Sequence, residues 1–148
     1  MESKQRLDDL MYMDFARRAA ERSHDLTHKV GCVITKDTNI LSYGWNGMPK
    51  GMPNAMEYPV MMRHECGCLY LKMRTRKEVQ HAEFNALRKL RRRRHAIPGA
   101  TLYTTLSCCM PCAVEAVKAK IAEVVYDQFF KQEPIEYMLE RGIVVRKI

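Results

Sequence analysis

Two short stretches constrain this chain more than anything else in it: His81-Ala82-Glu83-Phe84-Asn85-Ala86 and Thr105-Leu106-Ser107-Cys108-Cys109-Met110-Pro111-Cys112. The second holds a Cys-x-x-Cys, which at the opening of a helix places both sulfurs on one face a turn apart. With a His upstream, these residues read as ligands of one zinc ion (Zn2+): His81, Cys109 and Cys112. Any fold for this chain therefore has to bring position 81 and positions 109–112 together. Three protein ligands leave one tetrahedral position open, where a water can sit and lose a proton near neutral pH. Glu83, two residues after His81, is then a proton shuttle rather than a fourth ligand. The competing reading is a closed structural zinc in a binding module without catalysis, its fourth ligand drawn from His64, Cys66 or Cys68. Glu83 discriminates, because a closed site has no use for a carboxylate beside it.

The remaining composition narrows the setting. A chain of 148 residues with 47% hydrophobic content is long enough for one cored domain, and a single domain is expected over 1–148. Six Cys with no leader-like apolar stretch near the start fit reduced thiols and a cytoplasmic location, and no stretch is long and apolar enough for a membrane span. A net charge of +8 favours an anionic partner, which covers a nucleotide phosphate as well as a nucleic acid.

In chain order, Leu7, Leu10, Met11, Phe15 and Ala19 recur at helical spacing through about Arg22. Strands are expected over Val30–Ile34 and Ile40–Gly44, joined by the turn residues Asp37-Thr38-Asn39. From Trp45 to about Gln80 the pattern dissolves into Met, Pro, Gly and charge, so a long functional loop is expected. A second helix begins near His81 and runs into Arg91-Arg92-Arg93-Arg94, read as a solvated basic helix end. Thr101–Leu106 alternates as a strand and delivers the Cys-x-x-Cys to a third helix, with Pro111 in the tolerated first turn. A strand over Glu123–Asp127, a helix over Ile135–Arg141 and a strand over Ile143–Val145 follow. The order α-β-β-α-β-α-β-α-β predicts a mixed sheet with helices on both faces and its last three strands parallel.

A His-x-Glu with a later Cys-x-x-Cys is the pattern of zinc deaminases acting on cytosine or adenine. Beyond it, the chain resembles the deoxycytidylate (dCMP) deaminase branch of the cytidine and deoxycytidylate deaminase superfamily. The resemblance rests on Arg22-Ser23, Val30-Gly31, the loop Gly44-Trp45-Asn46-Gly47-Met48-Pro49-Lys50-Gly51, His81 to Ala86 and Thr105 to Ala113. It implies the three-layer α/β/α cytidine-deaminase-like fold with a mixed five-stranded sheet, and hydrolysis of dCMP to dUMP and ammonia in nucleotide biosynthesis. Carried over by position, it makes His81, Cys109 and Cys112 the metal ligands, Glu83 the catalytic proton shuttle and Asn46 a substrate-binding residue. It further implies a regulatory site for dCTP (activator) and dTTP (inhibitor) with magnesium (Mg2+) at the Gly-rich loop, involving Asn46, Gly47, Lys50 and Gly51, and a homohexamer.

Two positions depart from the family pattern. Cys108 stands where the family carries Pro, and the Cys-x-x-Cys spacing leaves it as a packed bystander. Phe130 falls near a Tyr of related enzymes, and the resemblance implies Arg22 and Ser23, at the matching end of the first helix, as the residues for substrate phosphate. The rival within the same chemistry is a tRNA adenosine deaminase, which would suit the positive charge and the Arg run. Asn85, the Gly47–Gly51 loop and the long insert before His81 argue against it and make nucleic acid an unlikely partner.

Overall fold

The computed structural model describes residues 3–148. Its centre is a five-stranded sheet, β1 (Gly31–Lys36), β2 (Asn39–Trp45), β5 (Thr101–Leu106), β6 (Glu123–Gln128) and β7 (Val144–Lys147), in the order β2-β1-β5-β6-β7. β1 runs antiparallel to both β2 and β5, while β5, β6 and β7 are mutually parallel. The mixed sheet and its parallel half are therefore as the element order predicts. Helix α1 (Lys4–Ala20) covers one face; α2 (Ala82–Lys89), α3 (Met110–Lys118) and α4 (Gln132–Glu140) cover the other.

The two-residue period of the strands builds both layers of core. Cys32, Ile34, Leu102 and Val124 point toward α2, α3 and α4, where they meet Ala86, Ala113, Ala116 and Met138. Val33, Tyr103 and Val125 point the other way, against Tyr12, Met13 and Ala16 of α1. Helix α1 is also held by charge. The buried Asp9 accepts from the Tyr103 hydroxyl at 2.7 Å and from the Arg146 guanidinium at 3.0 and 3.1 Å, which joins α1 to β5 and β7.

The segment before His81 differs from expectation. It is not a structureless loop: β3 (Glu57–Arg63) and β4 (Leu69–Thr75) pair as a separate antiparallel hairpin. Pro59, Met61, Leu69, Leu71 and Met73 share one face of it and are exposed. β4 alternates Leu69, Leu71 and Met73 with Tyr70, Lys72 and Arg74, but β3 carries Pro59 and the unbroken run Val60-Met61-Met62, and the Pro and Gly residues around the hairpin gave the stretch the look of a loop. The Arg run also moves: α2 ends at Lys89, and Arg91–Arg93 follow it in a turn leading to the 3-10 turn Arg94–Ala96.

Two glycines set how closely the helices approach the sheet. A Cβ on Gly31 would lie 1.9 Å from the Ala16 carbonyl oxygen of α1, and one on Gly44 would lie 2.6 Å from the Ala82 carbonyl oxygen of α2. Both contacts are to backbone, so no side-chain rotation relieves them. Gly31→Ala and Gly44→Ala are each expected to cost roughly 3 kcal/mol, the upper end of overpacking penalties. Urea denaturation of each variant checks this; wild-type midpoints would mean that the helices are not seated on these glycines.

Candidate active site

The first turns of α2 and α3 lie on the same side of the sheet, and their N-cap positions are His81 and Cys109. Neither side chain caps its own helix, so both are free to face each other. Cys112 stands in the first turn of α3, beside Pro111 at a position that tolerates the missing N–H. The His81 Nδ1 atom is 3.1 Å from the Cys109 Sγ and 3.4 Å from the Cys112 Sγ, and the three donor atoms lie within 4.8 Å of one another.

These three donors fit zinc. Bond lengths of about 2.3 Å to sulfur and 2.0 Å to nitrogen in a tetrahedron separate S from N by roughly 3.5 Å, close to what is seen. The donor set, two thiols and an imidazole, is of the kind that selects zinc over magnesium or calcium. Protons shared at the centre make the same point. Hydrogen bonding from the Cys112 thiol, and then from His81, pushes the Cys109 thiol down to about 4, while the same contacts push Cys112 and His81 upward. A cation at that centre replaces shared protons with coordination to thiolates and a neutral imidazole.

Among the described residues no other trio of this kind is present. His64, Cys66 and Cys68 sit at the exposed tip of the β3–β4 hairpin, where the His64 ring stacks on Tyr70 at 4.1 Å. Cys108 is buried in the apolar core between sheet and helices, apart from the donor group.

Glu83 projects from the first turn of α2 and is only 4% exposed. Burial pushes its carboxyl above the usual carboxylate range, although its own backbone N–H and the Thr104 hydroxyl hydrogen-bond to it. The Thr104 Oγ1 lies 2.8 Å from Glu83 Oε1 and 2.8 Å from the Leu106 carbonyl oxygen, so one hydroxyl proton serves two acceptors. A single polar side chain facing a buried helix from a central strand is the signal that marks Thr104, and motif reading passed over it.

Glu83, His81 and Cys109 line a cavity of about 280 Å³ whose walls include Val30, Asn46, Val79, Leu106 and Phe130. The amide of Asn46 is held rigidly there: its Oδ1 accepts from the Val30 N–H at 2.9 Å, and its Nδ2 donates to the His28 carbonyl at 2.7 Å. Asp25 and His28 also line the cavity, and neither carried any motif. Their loop has no periodicity, and only its closure through Asn46 reveals them.

Arg22 and Ser23 are not brought to this cavity. The Arg22 guanidinium lies over the Trp45 ring, 4.7 Å from its centroid. The buried Ser23 hydroxyl accepts from the Asp25 N–H at 3.2 Å, a local turn bond. Neither residue lines the cavity, although Asp25, two residues after Ser23, does.

The Gly-rich loop divides between two places. Asn46 faces the cavity just described, whereas Trp45, Gly47 and Lys50 line a second pocket of about 650 Å³ together with Arg88, Lys89 and Arg91–Arg93. Gly51, at φ +90°, is a turn residue outside both. Gly47 pairs with Gln80 through backbone bonds of 2.9 and 2.8 Å, and the Asn85 amide donates to the Trp45 carbonyl at 2.8 Å, so the loop is tied directly to α2.

Comparison with known proteins places this geometry. Residues 7–128 match the model of the cytidine and deoxycytidylate deaminase zinc-binding region. The deoxycytidylate deaminase of Saccharomyces cerevisiae is 33% identical over 149 residues, covering 94% of this chain and 44% of that protein, so the chain spans less than half the length of the yeast relative. The deoxycytidylate deaminase of Mycobacterium phage D29 is 35% identical over 123 residues, covering 80% of this chain and 92% of that protein. The crystal structure of the dCMP deaminase of cyanophage S-TIM5 in complex with dCMP and dUMP superposes with a TM-score of 0.82 at 29% identity, over 100% of both chains. With the fold, the donor trio and the matched region in agreement, the chain belongs to the cytidine and deoxycytidylate deaminase family.

Proposed function

We propose that this chain is a zinc-dependent deoxycytidylate deaminase, hydrolysing dCMP to dUMP and ammonia. The observation that carries the reading is Glu83, a buried carboxyl raised by desolvation in the same cavity as His81 and Cys109. The names of the yeast and phage relatives and the ligands of the cyanophage enzyme support dCMP as the substrate.

His81, Cys109 and Cys112 hold the metal in this account. When bound, zinc supplies a Lewis acid that lowers the pKa of a water at its open position toward neutrality. Glu83 takes the proton of the attacking water and passes it to N3 of the cytosine as the oxygen bonds to C4. Glu83 then takes the remaining proton from the new C4 hydroxyl and delivers it to the departing amine, which leaves as ammonia while C4 becomes the carbonyl of dUMP, so the same carboxyl acts as base and as acid. A carboxyl raised by burial suits both halves, because the best shuttle has a pKa near the working pH. Thr104 fixes Oε1 on the sheet side, and Val30, Val79, Leu106 and Phe130 wall the base away from water. Asn46 holds the nucleoside at the cavity wall.

Regulation by dCTP with magnesium and by dTTP belongs to the same reading, at the pocket lined by Gly47 and Lys50. Lys50, Arg88, Lys89 and Arg91–Arg93 line it without an opposing carboxylate, which suits a polyphosphate. Assembly as a homohexamer would cover the apolar hairpin face of Met61, Leu69 and Leu71.

Three experiments test this reading. Glu83→Gln should keep zinc and lower ammonia release from dCMP by about 10²–10⁴-fold, the usual contribution of a proton shuttle; wild-type turnover would remove Glu83 from that role. By elemental analysis, Cys109→Ala and Cys112→Ala should lose zinc while Cys108→Ala keeps it, and stoichiometric zinc in Cys109→Ala would identify the wrong sulfur. Lys50→Glu should raise the dCTP and dTTP concentrations needed for half-effect by roughly tenfold, since a charge-assisted hydrogen bond becomes a repulsion. Turnover curves indifferent to both nucleotides would withdraw the regulatory assignment and leave the deaminase intact.

A further inference from the structure

The cysteines of this chain fall into three environments. Cys32 and Cys108 are buried in the apolar core, and Cys109 and Cys112 belong to the donor trio with His81. Cys66 and Cys68 are exposed at the tip of the β3–β4 hairpin and join no metal-binding trio among the described residues. They are therefore the thiols that a reagent in solvent meets first.

The tip holds these two thiols in a fixed turn. The strands end at the Arg63–Leu69 pair, beyond which the Gly67 N–H donates to the His64 carbonyl at 2.9 Å and the His64 N–H donates to the Cys68 carbonyl at 2.8 Å. Gly67 stands at φ +90°, the left-handed position that closes a three-residue hairpin loop. The Arg63 guanidinium donates to the Gly67 carbonyl at 3.1 Å and braces the loop from the strand side.

That turn suits a covalent bridge. A disulfide requires Cα atoms roughly 4.4–6.8 Å apart. Residues two apart in an extended strand are separated by about 6.6 Å with their side chains on one face, and a bend between them shortens the span. The Cys66 and Cys68 thiols already hydrogen-bond to each other, which holds the Cys66 thiol below its usual range. An exposed, lowered thiol beside a second one is what thiol–disulfide exchange uses.

We propose that Cys66 and Cys68 form a reversible dithiol–disulfide site whose reaction partner is a low-molecular-weight disulfide of the glutathione class. The Cys66 thiolate attacks one sulfur of that disulfide, forming a mixed disulfide and releasing one small thiol. Cys68, its proton given up to solvent, then attacks the Cys66 sulfur and expels the second small thiol. Two protein thiols are oxidised to one disulfide, the small disulfide is reduced to two thiols, and the departing thiolates take up the protons lost by the cysteines. Cys109 and Cys112 are spared in zinc-loaded protein, since coordinated sulfur is not free to attack, and burial spares Cys32 and Cys108. The site does not depend on the reaction assigned to the zinc cavity.

The test treats zinc-loaded protein with oxidised glutathione, alkylates the remaining thiols, and reads intact mass and peptide maps. Wild type should lose two alkylatable thiols, both in the tip, and retain no glutathione. Cys66→Ser and Cys68→Ser should each stop with one glutathione attached, and Cys68→Ser, which keeps the lowered thiol, should do so faster. Glutathionylated protein should be roughly tenfold more abundant in either variant than in wild type, because the second thiol acts from an effective concentration of millimolar order. Zinc content should stay unchanged throughout. A glutathione adduct that persists on wild type as on the variants, a disulfide linking two chains, or a bridge mapped to Cys109 and Cys112 overturns the site. Tip thiols that do not react, with or without a second zinc ion per chain, overturn it as well.

Discussion

The meeting of two helix starts over the sheet is the constraint on which the rest of this structure depends. His81 and Cys109 are both N-cap residues, and they face each other only because α2 and α3 lie on one side of the sheet at a fixed separation. Gly44 sets the height of α2 above β2, and a methyl group there would meet the backbone of Ala82, the residue next to His81. The backbone pair between Gly47 and Gln80 fixes His81 from its other side. A displacement of α2 by even 1 Å would pull the imidazole out of reach of two sulfurs that cannot follow, since a metal site tolerates only small deviations in its bond lengths. Packing against glycine and metal geometry are thus one requirement expressed twice.

Charge is distributed with equal economy. At the end of β2 the two-residue alternation sends Asn46 into the substrate cavity and its neighbours Trp45 and Gly47 into the basic pocket. Carboxyl groups stand in the first, arginines and lysines in the second. The two pockets are separated by little more than one strand end, which itself is bonded to α2 through Asn85. Any ligand that shifts Gly47 acts on the residue paired with Gln80, adjacent to His81. That contact gives a regulatory reading its physical route, because an effector works only through a difference in how two states hold it.

Much of this was legible beforehand, for identifiable reasons. The donor trio and Glu83 follow from spacing alone, since Cys-x-x-Cys at a helix start has one geometric outcome. The sheet and its parallel half follow from strands alternating with helices. The β3–β4 hairpin was passed over although β4 alternates Leu69, Leu71 and Met73 with Tyr70, Lys72 and Arg74, because β3 has no such alternation and Pro and Gly punctuate the stretch around it. Arg22 and Ser23 were expected at the substrate phosphate from their place in a matching motif; they do not line the cavity, and the Arg22 guanidinium lies over the Trp45 ring. Asp25 and His28 had no signal in the sequence. They reach the cavity through the hydrogen bonds that Asn46 makes to Val30 and His28, a closure across 16 to 18 residues that no local rule describes.

The central claim is that a zinc-loaded cavity of this chain removes the amino group from a deoxycytidine monophosphate. Ammonia release by protein of known zinc content, with dCMP, dCTP, deoxycytidine and a tRNA anticodon stem-loop assayed in parallel, tests it most directly. The account predicts one zinc per chain, release in step with zinc occupancy, and dCMP as the fastest of the four. Release from the stem-loop alone, or no release from protein with full zinc, would contradict it.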